Sequence, residues 1–176
     1  MGLKGWNVAI LVAIGAIWFA GSTQREKRVV GDTTHTARVA LLEERAAADP
    51  SDTGRVRELA QAYLDAGAPG MAQASIERAP EAVRKEPTVE HLYARALLDQ
   101  GRSTDALAAE RRVLAYCAEP ALEVPACSTY LIASATRRAE ILEQLVTLGV
   151  EDANAHPEAS GLAYHNATRQ VSFSSR

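Results

Sequence analysis

The pentapeptides YLDAG (residues 63–67) and LLDQG (residues 97–101) end on glycines that are 101 − 67 = 34 residues apart. The same offset pairs Ala60 with Ala94, Leu64 with Leu98, Asp65 with Asp99 and Ala72 with Ala106. A recurring interval of this length confines the chain to repeated supersecondary units, each burying its apolar face against its neighbours. In the first unit Val56, Leu59, Ala60, Tyr63 and Leu64 fall at i, i+3, i+4, i+7 and i+8, and Val89, Leu92, Tyr93, Ala96 and Leu97 repeat that spacing. Such a stripe runs along one side of an α-helix. Gly67 and Gly101 supply the left-handed residue that ends a helix, and Pro69 and Ser103 start a second helix running back. The predicted unit is an antiparallel helical hairpin.

Composition agrees. Apolar residues make up 47% of the 176 and aromatic residues only 5%, so the core must be built mainly from Ala, Leu and Val, which suits close-packed helices better than sheets. The length allows one domain and an appendage. The net charge is −3 with both signs interspersed, which leaves no electrostatic footprint for nucleic acid.

On these residues the chain resembles the tetratricopeptide repeat family, whose period is also 34 residues. The family's characteristic positions are Leu59, Ala60, Tyr63, Gly67 and Ala72 in one unit and Tyr93, Ala94, Leu97, Gly101 and Ala106 in the next. Its large aromatic position is Val56 in the first and Glu90 in the second, so the pattern is degenerate. Pro50 and Pro120 stand where units close, ARVALLEERAAADP (residues 37–50) looks like the second helix of a preceding unit, and Pro80 interrupts the first unit's return helix. The expected fold is all-α, with antiparallel hairpins stacked as a short solenoid over residues 34–120 and preceded by one transmembrane helix. Residues 129–148 (TYLIASATRRAEILEQLVTL) are expected as a cap on the array, followed by a loop, a final short helix and a frayed VSFSSR tail.

The resemblance implies a concave groove lined by the first helices, taking a segment of a protein partner. Its expected contacts are Arg57, Gln61, Leu64 and Asp65, then His91, Arg95, Leu98 and Asp99. Only Arg57 and Arg95 fit the Lys, Arg and Asn set of the family's carboxylate-clamp variety. Arg111 and Arg112, on the second helix, are expected away from the groove.

Ahead of the repeats no charge occurs between Lys4 and Arg25, and residues 8–20 (VAILVAIGAIWFA) are apolar throughout. A helix over residues 5–24 would be about 30 Å long, enough to enter and cross a bilayer, with Trp6 and Trp18 near its ends. The segment is read as an uncleaved anchor, residues 1–24, joined by a linker, 25–33. A cleaved signal peptide is the competing reading, since Ala20-Gly21-Ser22 offers small residues to a peptidase.

Two cues on topology oppose each other. Arg25, Lys27 and Arg28 after the span favour a cytoplasmic domain. Cys117 and Cys127, in CAEPALEVPAC, are the only cysteines and favour a disulfide in an oxidising compartment, the alternative being two separate buried thiols. The expectation is a single-pass bacterial inner-membrane protein with a periplasmic domain, whose residues 121–176 hold the cysteine loop, capping helices and tail.

Nothing in the sequence groups catalytic or cofactor-binding residues. The four histidines fall in separate elements without a metal-ligand spacing, and Asp152 and His156, four apart, read as loop and helix-start residues. There is no GxSxG, phosphate-cradling glycine loop or haem-attachment motif. The expected function is a noncatalytic adaptor without cofactor or small-molecule substrate, holding a protein partner in an envelope complex. The alternative is an accessory subunit of a larger respiratory or secretion complex, held by its transmembrane helix.

Overall fold

A computed structural model describes residues 33–119 and 127–173. The predicted span, residues 5–24, and most of the linker lie outside the described residues. Among the described residues no helix is long and apolar enough to cross a membrane. Contacts divide the chain into two units, Met1–Ala40 and Leu41–Arg176. Of the first unit only the opening turns of a helix are described, and the helical hairpins all belong to the second.

All regular structure among the described residues is helical: α1 (Thr33–Ala48), α2 (Thr53–Asp65), α3 (Pro69–Arg78), α4 (Glu81–Arg84), α5 (Pro87–Asp99), α6 (Ser103–Cys117), α7 (Thr129–Thr147) and α8 (Pro157–Phe173). Three hairpins succeed one another, α2–α3, α5–α6 and α7–α8, each packed along its length. Between hairpins α5 packs on α2 and α3, and α7 packs on α6.

The three corners are built alike. Gly67, Gly101 and Gly149 have φ of 67°, 76° and 71°, a left-handed conformation that costs any residue with a Cβ. At each corner the glycine N–H reaches the carbonyl three residues back (Leu64, Leu98, Val146), and the next N–H reaches the carbonyl five back (Tyr63, Leu97, Leu145). These paired bonds satisfy the last carbonyls of α2, α5 and α7 and reverse the chain.

Small residues set how closely the helices approach. Ala60, Ala72, Ala94 and Ala106, the alanines matched at the 34-residue offset, are all fully buried. Around Ala94 and Ala106 a core cluster gathers Leu97, Leu107, Leu142, Leu145 and Val150. Burying each of those leucines contributes about 2 kcal/mol against the ordering entropy of the chain.

Two expectations change. The helix read as a cap, residues 129–148, is α7, and α8 is not short: it extends 17 residues, into the segment expected to fray. Together they form a third hairpin around Gly149. Pro80 acts as expected: α3 stops at Arg78, and Pro80 opens the one-turn α4. Cys117, at the end of α6, and Cys127, just before α7, sit at disulfide distance, with Cα atoms 5.6 Å apart. Cys127 is buried beside Val113, Leu131 and Ala135.

Candidate groove between helices α5 and α7

Helices α5 and α7 meet through side chains, and a groove of about 470 Å³ opens between them. Leu98 forms one wall; Tyr130, Ala133, Arg137 and Ile141, spaced three or four residues apart, form the other, with Ser134 and Arg138. That spacing places them on one side of α7. Tyr130 is 82% exposed, an aromatic side chain held in solvent at the mouth of the groove. No carboxylate lines it, and Arg137 has no ionic partner among the described residues.

The floor is a polar network. Glu110 of α6 is 0% exposed, the only charged side chain buried so completely among the described residues. Its Oε1 accepts from Arg138 Nη1 at 2.7 Å, and its Oε2 accepts from His91 Nδ1 at 2.8 Å. Arg138 Nη1 also donates to the His91 carbonyl at 3.1 Å, and His91 Nε2 lies 3.0 Å from Ser134 Oγ. Each member comes from α5, α6 or α7, so the network ties three helices of two hairpins together. A buried carboxylate persists in such a place only when its lone pairs are occupied, as here.

The predicted contacts separate under this geometry. Leu98 lines the groove, and Arg95, near Asp99 Oδ2 at 3.8 Å, shares its helix. His91 is engaged below, in the network. Leu64, expected to meet a partner, is 5% exposed and belongs to the core, because the last turn of α2 faces α3 and α5 before the chain reverses. Gln61 Nε2 donates to Asp65 Oδ1 at 2.6 Å, and Arg57 is exposed; neither lines the α5–α7 groove. Arg111 bonds Glu143 of α7 and Arg112 bonds Glu90 of α5, so both tie helices together. Asp152 caps its own loop, accepting from the Asn154 and Ala155 N–H groups, and His156 is exposed.

Seven residues of the site were not anticipated: Glu110, Tyr130, Ala133, Ser134, Arg137, Arg138 and Ile141. A signal for Glu110 was available, because 110 − 34 = 76 and Ile76 is a buried core residue of the first unit. A carboxylate 34 residues after a buried isoleucine marks a buried polar group. The α7 residues carry no such offset.

A larger groove, about 770 Å³, lies among α3, α4, α5 and α6. Its charges are balanced, with Glu77, Glu81 and Glu90 against Arg84, Lys85 and Arg112. Tyr93 Oη donates to Glu77 Oε1 at 2.9 Å; burial first and this bond second push the Tyr93 hydroxyl up. The Gln73 amide, ahead of Tyr93, holds the Glu77 carboxyl below its usual range. An equivalent bond joins Tyr63 to Glu43, and burial pushes the Tyr63 hydroxyl up to about 12. With charges matched, this second surface offers shape but no electrostatic preference.

Compared with protein-family models, curated proteins and solved structures, the chain matches none.

Proposed function

We propose that this chain is a membrane-tethered adaptor whose short tetratricopeptide-like array holds a protein partner in the groove between α5 and α7. The observation that carries the reading is a surface lined by Leu98, Tyr130, Arg137 and Ile141 and free of carboxylates, between the first helices of successive hairpins. An exposed aromatic supplies buried area at low entropic cost, and an unpaired guanidinium group orients an acidic segment. The disulfide-distance cysteines favour an oxidising compartment, and with the apolar segment at residues 8–20 they support an inner-membrane anchor and a periplasmic domain.

A photocrosslinking residue placed at Tyr130 should capture one defined partner in cells, while the same residue at Leu162, exposed on α8, should not. Equal capture from both positions would remove the groove from consideration. Exchanging residues 1–24 for an unrelated anchor should preserve capture; its loss would favour the accessory-subunit reading. A reporter fused after Arg176 should be active only if exported.

A further inference from the structure

The network under the groove has a direction. Glu110, paired with Arg138, has only acceptor oxygens, so His91 Nδ1 must carry the proton that it shares with Oε2. In neutral imidazole Nε2 is then an acceptor, and Ser134 Oγ, 3.0 Å away, donates its hydroxyl proton to it. A serine hydroxyl aimed at a histidine, itself oriented by a buried carboxylate, is the arrangement that turns a hydroxyl into a nucleophile.

We infer that Ser134 is an activated nucleophile able to accept an acyl group from an activated ester, with His91 as its base and Glu110 as the residue that positions the imidazole. This goes beyond partner binding, and three further observations carry it. Thr147 and Ser75, hydroxyls inside helices, turn back on their own backbone: Thr147 donates to the Glu143 carbonyl at 2.7 Å and Ser75 to the Ala72 carbonyl at 2.8 Å. Ser134 instead bonds His91 on another helix. Its side chain is half-buried and lines an open groove, so an ester carbonyl can approach it. On the same wall stands Arg137, a cation without an ionic partner among the described residues and able to meet the negative charge that develops on the carbonyl oxygen.

In the step, Ser134 Oγ forms a bond to the carbonyl carbon while its proton passes to His91 Nε2. The bond from that carbon to the leaving oxygen then breaks, and the proton moves from Nε2 to the departing alcohol. The imidazolium formed between the two transfers is stabilised by Glu110. Helix α7 is continuous from Thr129 to Thr147, so its backbone N–H groups at Ser134 serve the helix and offer no oxyanion hole. Acylation is therefore slow and essentially stoichiometric, a covalent modification of the groove wall, with little turnover.

The test treats the full-length chain, purified in mild detergent, with a fluorophosphonate probe and maps the adduct by peptide mass spectrometry. The expected result is one phosphonyl group per chain, on Ser134, with fluoride released. Ser134→Ala should leave the chain unlabelled, and His91→Asn should slow labelling about 100-fold. No adduct on Ser134 after prolonged exposure, or labelling spread evenly over other hydroxyls, overturns the inference. Because the unmutated chain supplies that result, poor folding of the His91 variant does not affect it. Partner capture at Tyr130 is a separate measurement, so either result can fail without the other.

Discussion

Removal of the Glu110 carboxylate should be the most damaging single change in the groove. In Glu110→Ala the two bonds of 2.7 and 2.8 Å disappear, and Arg138 and His91 are left facing a space that had no solvent exposure. Breaking a buried, hydrogen-bonded charge pair from one side costs about 3 to 5 kcal/mol, because the remaining charge loses its partner and the Arg138 side chain, 24% exposed, regains only part of its water. At about 3 °C per kcal/mol for a domain of this size, the midpoint of thermal unfolding should fall by roughly 10 to 15 °C. Urea unfolding monitored by circular dichroism gives the same quantity independently, provided that the slope is unchanged. The informative partner is Glu110→Met combined with Arg138→Met, which removes both charges and refills the volume. It should recover at least half of the loss, since a buried pair replaced by apolar residues is often neutral. If Glu110→Ala costs less than about 1 kcal/mol, water reaches the network and the energetic account of the site is wrong.

Other outcomes rest on single features. Gly101→Ala should destabilise more than Gly67→Ala: both glycines are left-handed, but a Cβ at Gly101 meets Asp152 Cγ at 2.8 Å while one at Gly67 meets nothing within 4 Å. The expected costs are about 2 and 1 kcal/mol, read from denaturant midpoints. Reducing the Cys117–Cys127 link, with cysteine-free Cys117→Ser and Cys127→Ser chains as reference, should lower stability by about 2 to 3 kcal/mol through loop entropy. Tyr63, whose folded hydroxyl is pushed up to about 12, should ionise well above the usual range near 10 when tracked by phenolate absorbance. A raised acid favours the fold below its unfolded value and loses that contribution as pH rises towards 12, so Tyr63→Phe should flatten the decline in stability across that window.

The parts of this fold that are legible in the sequence are those governed by spacing. The matched alanines, the two glycines at the 34-residue offset and the break at Pro80 all act as local chemistry dictates. The third hairpin escapes because its corner is longer: α3 begins 69 − 67 = 2 residues after its glycine, whereas α8 begins 157 − 149 = 8 after. An insertion of that size erases the period without changing the corner's geometry. Leu64 and Leu98 share a repeat position yet differ in burial, since each depends on which helix happens to come next. The site was the least legible part. Glu110 and Arg138 look like ordinary members of charged surface runs, AERR and TRRAE, and only packing of α6 against α7 takes them out of water.

The inserted corner has a further consequence. Arg102, the residue that precedes helix α6 at its N-cap, makes no side-chain capping bond. The first donors of α6 are met instead by Glu151 of the next corner: the backbone carbonyl accepts from Ser103 N at 3.1 Å and Ser103 Oγ at 2.6 Å, and the carboxylate accepts from Thr104 N at 3.2 Å. A helix whose first turn is completed by the next hairpin cannot be counted as a self-sufficient module. In a linear array the terminal unit is ordinarily free to open alone. Here, opening α7 and α8 also strips α6 of its cap and exposes Glu110, so the last two hairpins should exchange their amide protons as one cooperative block.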